Sequence, residues 1–391
     1  MTKDLSDAAV LRTCFEAARE HPFHRERLTG IDDWRAAPAI DKRELLPALQ
    51  AFSVHDEARG VYLVRSGGST QEPLIFPVDI AENQAQRAAL AVRLREAGVF
   101  GPRTVALNLF GYSDLYRTAA ILDDLLERCD ATALPMSAHA RYEDMYAAAK
   151  RFCPTHLLGT PSKLTLFAHF NAERSQSLMI PQLLYGGEVL REATRDSLRA
   201  TFGTQQIWSL YGGAECGIWA WSDATRRPGL FETLPQVAVE ILDPDGDGYG
   251  ALAISNGFRR RFPLFRYRPG DTGRIVVVEG VQYLQLRGRD SRSFPFDDLI
   301  YDLDTVVALL EDHEAFQIQL RTSPAGRECV SLLLVADRDD EGLRVRVLAR
   351  LKTIFLNSVE AGAIEVRLVP RNALYVDPIT TKTPSIADFR N

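Results

Sequence analysis

The stretch Ser66-Gly67-Gly68-Ser69-Thr70-Gln71-Glu72-Pro73 carries the clearest chemical potential in this chain. Its paired glycines permit backbone angles that other residues resist, so successive amides can turn inward beside the Ser69 and Thr70 hydroxyls and form a concavity suited to an anion. The apolar runs Gly60–Val64 and Leu74–Phe76 on either side predict a loop between two strands. No lysine follows at the spacing of G-x-x-x-x-G-K-[ST] and no helix pattern opens directly behind, which argues against a mononucleotide-fold NTPase. Read alone, a Ser/Gly/Thr cluster between strands is more often an ordinary turn.

Other chemistry-bearing residues are spread along the chain: Glu215 in Tyr211-Gly212-Gly213-Ala214-Glu215, Asp271 after Pro269-Gly270, Arg289 in Gly288-Arg289-Asp290, and Lys382 in Thr380-Thr381-Lys382-Thr383-Pro384-Ser385. Each has a plain structural alternative: a solvated carboxylate at a helix start, a turn residue before Gly273, a surface charge and a solvated tail lysine. The five cysteines are odd in number and scattered, with no C-x-x-C, so reduced core thiols are expected. Asp243-Pro244-Asp245-Gly246-Asp247-Gly248 opens like a calcium loop, but its twelfth position is Ile254 where that loop needs Glu. A hairpin turn is expected there. His156 reads as a satisfied core histidine ahead of a pocket residue.

The elements that must position these groups follow from periodicity. Apolar residues at helical spacing predict a helix over 5–29, and Asp41 with Glu44 predicts a capped helix over 42–50. A long helix is expected from Asp79 to Ala97, ended by Gly98. From Thr104 to Leu210 strand and helix patterns alternate, including a helix capped by Ser113 and another opening at Glu188. That alternation predicts an α/β fold with a mostly parallel, helix-covered sheet, whose ligands sit beyond the carboxyl ends of the strands. The segments there are Phe110-Gly111-Tyr112, Gly159-Thr160-Pro161-Ser162, Gly186-Gly187-Glu188 and Tyr211 to Glu215. Past Trp221 the pattern changes to hairpins, a barrel-like region, and beyond Arg289 to a compact α+β unit. Residues 1–288 are thus expected to form a large domain and 289–391 a small one.

Composition narrows the partners. Hydrophobic residues at 46% and charged residues at 25% are ordinary for a globular chain, and a formal charge of −6 gives no electrostatic case for nucleic acid. No apolar run is long enough for a membrane span, and Met1-Thr2-Lys3-Asp4 lacks the pattern of a secretion signal, so a cytoplasmic location is expected.

Ser66 to Pro73, Pro154 to Ser162, Gly186-Gly187-Glu188, Tyr211 to Glu215, Phe265-Arg266-Tyr267-Arg268-Pro269-Gly270-Asp271 and Arg287-Gly288-Arg289-Asp290 occur in an order that resembles the adenylate-forming superfamily. Within it they resemble the phenylacetate-CoA ligase-like branch, as do His21-Pro22-Phe23-His24-Arg25 and Ile386-Ala387-Asp388-Phe389-Arg390. The resemblance implies activation of a carboxylic acid by ATP and Mg2+ as an acyl-adenylate, with coenzyme A, a carrier-protein thiol or an amine as acceptor. It implies that Ser66, Gly68, Ser69 and Thr70 cradle phosphates, that Gly186, Gly187 and Glu188 flank the adenine, and that Tyr211 and Gly212 lie against it. Glu215 would hold Mg2+, Asp271 the ribose hydroxyls, and Arg289 would lie near ribose and phosphate. Lys382 would be the catalytic cation, carried on a mobile C-terminal lid. Phe110, Tyr112, Trp208, Gly213, Ala214, Ile218 and Trp219 are the expected walls of an acid pocket, and the aromatic ones would suit an aryl carboxylate of secondary metabolism. A homodimer is implied by the resemblance alone. Gly67, Gln71, Ala214 and Ser291 depart from the branch's pattern. Those departures keep open a nucleotide- or ligand-binding module of weak activity, or an enzyme that stops at the adenylate.

Overall fold

The computed structural model describes residues 4–50, 52, 60–65, 75–112, 115–187, 190, 192–289, 293–297, 299–310, 316–323, 326–336, 338, 340, 341–355, 357–360, 362–370, 373–375 and 386–390. The described residues separate into two compact units, one within 1–66 and 74–290 and the other within 291–391.

In the first unit, helix α1 (Ala8–Glu20) opens at Asp7, whose carboxylate accepts the amides of Ala9 and Val10. The single helix expected over 5–29 is interrupted at His21-Pro22, because proline lacks the amide that would continue the ladder and its ring opposes the preceding turn. Proline is well suited to a first helical position, and α2 (Pro22–Arg27) restarts there with His21 as its cap. After the short strand β1 (Ile40–Asp41), helix α3 (Lys42–Gln50) shows the expected reciprocal cap: Asp41 Oδ1 accepts from Arg43 and Glu44 N, while Glu44 Oε2 accepts from Asp41 N. Strands β2 (Val61–Arg65) and β3 (Ile75–Asp79) form a hairpin, and α4 (Ile80–Glu96) follows, capped by Asp79.

The alternating part comprises β4 (Val105–Asn108), α5 (Thr118–Arg128), β5 (Thr132–Pro135), α6 (Tyr142–Phe152), β6 (His156–Gly159), α7 (Pro161–Ala172), β7 (Gln182–Gly186), α8 (Glu192–Phe202) and β8 (Gln206–Gly213). Helix α5 begins at Thr118 and not at Ser113, because Leu115 has the left-handed φ of 64°, which a right-handed helix cannot contain. Ser113 itself lies outside the described residues. Helix α8 likewise begins at Glu192, later than expected. Strands β5, β4, β6, β7 and β8 are parallel in that order; β4, β6, β7 and the first half of β8 are buried on both faces, while β5 is the more exposed edge. Ala106, Leu158 and Leu184 pack towards one core with Leu90 and Leu94 of α4 and Leu122 of α5. Their alternates Leu107, Leu157, Leu183 and Ile207 pack on the other face with Phe167 of α7 and Phe202 of α8.

Hydrogen bonding continues from β8 into antiparallel strands: β9 (Gly217–Asp223), β10 (Leu230–Thr233), β11 (Val237–Leu242), β12 (Gly250–Asn256), β13 (Leu264–Arg268), β14 (Asp271–Val278) and β15 (Val281–Arg289). The expected hairpin turn at Asp243–Gly248 joins β11 and β12, and there Asp245 accepts the amides of Asp247 and Tyr249 while pairing with Arg287 at 2.9 Å. No helix among the described residues is long and apolar enough to cross a membrane.

Two histidines are built into this unit. His156 Nε2 lies 2.9 Å from the Val99 carbonyl and Nδ1 2.8 Å from Thr155 Oγ1, while His24 Nε2 lies 3.0 Å from the Pro263 carbonyl. Burial lowers both rings from 6.5 to about 4. The unfolded chain therefore binds these protons first as pH falls. The stability of the neutral rings is fully present above about pH 6.5 and declines towards pH 4, by on the order of 3 kcal/mol per ring. A urea midpoint that drops across this window, with a shallower drop in His156→Gln, is the expected result. Identical pH slopes for parent and variant would contradict it.

The second unit has a hairpin, β16 (Ser293–Phe296) and β17 (Leu299–Asp302), then α9 (Leu303–Ala308), β18 (Phe316–Thr322), β19 (Glu328–Val335), α10 (Glu341–Phe355), α11 (Asn357–Glu360), β20 (Ile364–Val369) and β21 (Ile386–Asp388). The sheet order is β20-β19-β18-β21. Ile318 and Leu320 pack with Val347, Leu351 and Phe355 of α10. On the alternate positions of β18, Gln317 clamps Tyr375 by accepting its amide and donating to its carbonyl, at 2.8 and 2.9 Å.

Candidate active site

Strand β8 is longer than its apolar run implied. It continues through Tyr211-Gly212-Gly213, turns at Ala214-Glu215-Cys216, and returns antiparallel as β9. The motif that carries Glu215 is thus the tip of a hairpin, and the helix start considered for Glu215 does not occur. The ladder shifts register between Tyr211 and Gly212. A Cβ on Gly212 would stand 2.2 Å from the Gly217 carbonyl oxygen and 2.7 Å from Ile218 Cα, an approach that glycine alone permits.

Around this tip the structure gathers residues remote in sequence. Tyr211 Oη donates to Asp271 Oδ2 at 2.7 Å, and the Tyr211 ring meets Trp219 edge-on with centroids 5.1 Å apart and Phe231 at 5.8 Å. Asp271 opens β14 and is paired across the ladder with Arg289, which brings that backbone beside the same carboxylate. Glu215 is only 7% exposed, and the Tyr267 hydroxyl donates to its Oε1 at 3.3 Å. Its Oε2 lies 3.2 Å from where a Cβ on Gly213 would stand. Gly186 ends β7 beside Leu210, and Gly187 follows with a φ of 83°. Tyr211, Gly212, Gly213, Ala214, Glu215, Ile218, Asp271 and Gly186 therefore share one region at the carboxyl end of β7 and β8.

Other expected site residues are placed differently. Phe110, Trp208 and Trp219 are buried in the main core. Trp208 pairs with Leu184 midway along β7 and donates its indole N–H to Gln182 Oε1 at 3.2 Å, towards the start of that strand. Tyr112 is exposed. Ser66, Gly68, Ser69, Thr70, Glu188 and Lys382 lie outside the described residues, and Arg289 is described in its backbone alone.

Three side chains that no motif singled out support the tip. Gln86 Nε2 donates to the carbonyls of Cys216 and Ile218 at 2.9 and 3.0 Å, Asn256 Nδ2 to that of Cys216 at 2.9 Å, and Arg259 Nε to that of Glu215 at 3.2 Å. Burial pulls the Arg259 guanidinium below its ordinary value, and burial reinforced by the Glu215 charge pushes the Cys216 thiol up. One signal for these residues exists in the sequence. Asn83, Gln86 and Arg87 occupy the same helical face as Leu90 and Leu94, and polar residues on a core-facing stripe must be hydrogen-bonded inside the protein.

Mg2+ in nucleotide sites is held by one or two carboxylates together with phosphate oxygens and water. Glu215, one buried carboxylate oriented by a hydroxyl, fits that donor set. Among the described residues no group of three or more His, Cys, Asp or Glu forms an all-protein cage.

A sequence model described as AMP-binding enzyme matches residues 128–256, which include β6, β7, the β8–β9 hairpin and β12. An indoleacetate–lysine synthetase of Pseudomonas savastanoi is 27% identical over 197 residues, 49% of this chain and 48% of that protein, so the match spans about half the length of this relative. Among solved structures, 2-hydroxyisobutyryl-CoA ligase with 2-HIB-AMP and CoA is similar with a TM-score of 0.71 at 18% identity, over 98% of this chain and 90% of that one. The amide bond synthetase McbA of Marinactinospora thermotolerans is similar with a TM-score of 0.52 at 19% identity, over 83% and 68%. At such identities the structural matches speak for the fold.

Proposed function

We propose that this chain belongs to the adenylate-forming superfamily and is an ATP-dependent ligase that activates a carboxylic acid as its acyl-adenylate. The acid is aromatic and the acyl group passes to coenzyme A, as in the phenylacetate-CoA ligase-like branch. The observation that carries this reading is the 2.7 Å hydrogen bond between Tyr211 and Asp271, sixty positions apart, at the mouth of the hairpin that holds Glu215. An adenine-stacking ring and a ribose-binding carboxylate belong side by side, and here one is hydrogen-bonded to the other.

Adenylation joins two anions, so the protein must hold carboxylate and triphosphate together while charge grows on the phosphate oxygens. In this reading Tyr211 supports the adenine, Asp271 accepts ribose hydroxyls, and the Ser69-Thr70 loop donates to the phosphates. Lys382 lends its ammonium to the acid and the α-phosphate. Bound at Glu215, Mg2+ would neutralise phosphate charge as pyrophosphate departs. Ala214 and Ile218 contribute to the acid side, where an aromatic acid finds apolar contact.

Acid-dependent exchange of labelled pyrophosphate into ATP tests the first half-reaction, and a panel of aromatic and aliphatic acids tests the substrate class. Exchange with no acid in the panel would favour a ligand-binding module. Glu215→Gln is expected to weaken the magnesium dependence of exchange, and a titration superposable on that of the parent would remove Glu215 from the metal. An amine acceptor is the second reading, favoured by the similarity to a synthetase named for joining indoleacetate to lysine. Loss of free thiol with coenzyme A, against amide formation with lysine, separates the two. Adenylate accumulating with either acceptor present would mark an enzyme that stops at that stage.

A further inference from the structure

A hairpin tip ordinarily faces solvent, yet this one is buried: Glu215 is 7% and Cys216 2% exposed. The register shift at Gly212 and the left-handed Gly217 turn the tip's carbonyls away from the ladder and into the protein. Such carbonyls need donors, because leaving one unpaired in the interior costs about 1–3 kcal/mol. Gln86, Asn256 and Arg259 supply them, reaching the carbonyls of Glu215, Cys216 and Ile218. The donors are themselves held. Arg259 Nη2 donates to Asn83 Oδ1 at 3.2 Å, and Asn83 in turn bonds the Tyr62 hydroxyl, so α4, β2 and the end of β12 grip the tip jointly. A Cβ on Gly217 would stand 2.8 Å from Arg259 Nη2, which shows how closely the guanidinium lies beneath the turn.

We propose that Gln86, Asn256 and Arg259 are positioning residues for the Glu215 carboxylate, acting through the backbone of the turn that carries it. The proposal rests on the reading of Glu215 as the metal carboxylate. A ligand to Mg2+ must be held close to octahedral geometry, and a side chain whose own carbonyl and the next are pinned starts from a fixed Cα. Orienting partners of this kind typically matter by about 10- to 100-fold in metal affinity.

The test is calorimetric titration of the full chain with ATP, in Mg2+ and in EDTA, which reads the metal-dependent gain in nucleotide affinity without turnover. Gln86→Met keeps length and apolar bulk but removes the donor; the gain is expected to fall about tenfold or more. Arg259→Lys, which keeps the charge and loses the fork, is expected to lower it as well. Arg87→Lys is the control: it sits on the same helix but pairs with Asp124 at 2.7 Å, and the gain should remain parental. In a Glu215→Gln background, Gln86→Met should cause no further loss. A gain unaffected by Glu215→Gln rejects the metal reading, and the positioning role with it. A gain lowered by Glu215→Gln but parental in both Gln86→Met and Arg259→Lys rejects the positioning role alone, as does a lowered melting temperature with an unchanged gain.

Discussion

Replacing Lys382 with alanine is expected to lower pyrophosphate exchange by about 10²- to 10³-fold, the typical cost of removing one donor aimed at developing charge. ATP affinity should stay at the parental value, because the ammonium is needed when the acid oxygen approaches the α-phosphorus and not when the nucleotide binds. Lys382 lies outside the described residues, so the expectation comes from the Thr-Thr-Lys-Thr-Pro-Ser segment and its resemblance. The nearest described residues on either side are each held on one strand. Tyr375 is clamped by Gln317, and Ile386–Asp388 pairs in parallel with Ile318–Leu320, so both ends return to the same strand, β18. Lys382→Arg should recover little, since a planar fork does not replace a compact charge. Parental exchange in Lys382→Ala would take the lysine out of the chemistry.

Asp271→Ala is expected to raise the KM for ATP by roughly 10- to 100-fold, the equivalent of the 1.5–3 kcal/mol carried by hydrogen bonds to a charged group. The turnover number should change less, since ribose contacts are made in the ground state as well as the transition state. The Tyr211 hydroxyl offers a control, because it donates to the same carboxylate. Tyr211→Phe keeps the ring against Trp219 and Phe231 and should cost much less than Asp271→Ala. A sharper readout is the preference for ATP over 2′-deoxy-ATP, which the parent should show and Asp271→Ala should lose. Should the variant discriminate as the parent does, Asp271 does not read the ribose.

Much of the architecture was legible in the sequence. The reciprocal cap between Asp41 and Glu44, the Asp79 cap and the strand–helix alternation from Val105 to Leu210 all rest on contacts within a few residues. The break at Pro22 has an equally local cause, but the helical spacing over 5–29 concealed it. The start of α5 was not legible, because the left-handed Leu115 carries no glycine or asparagine to announce it. Strand β21 was too short for its period to be read.

The candidate site divides along the same line. The types and order of the groups, Tyr211, Glu215 and Asp271 above all, were determined by the chain alone, since each motif is contiguous. Which of the aromatic residues face the core was decided by packing: Trp208 and Trp219 have the composition of pocket walls, but their neighbours come from distant strands. Only the tertiary structure brought Gln86, Asn256 and Arg259 beneath one turn, because a buried carbonyl accepts any donor of the right reach and so leaves no fixed spacing along the chain.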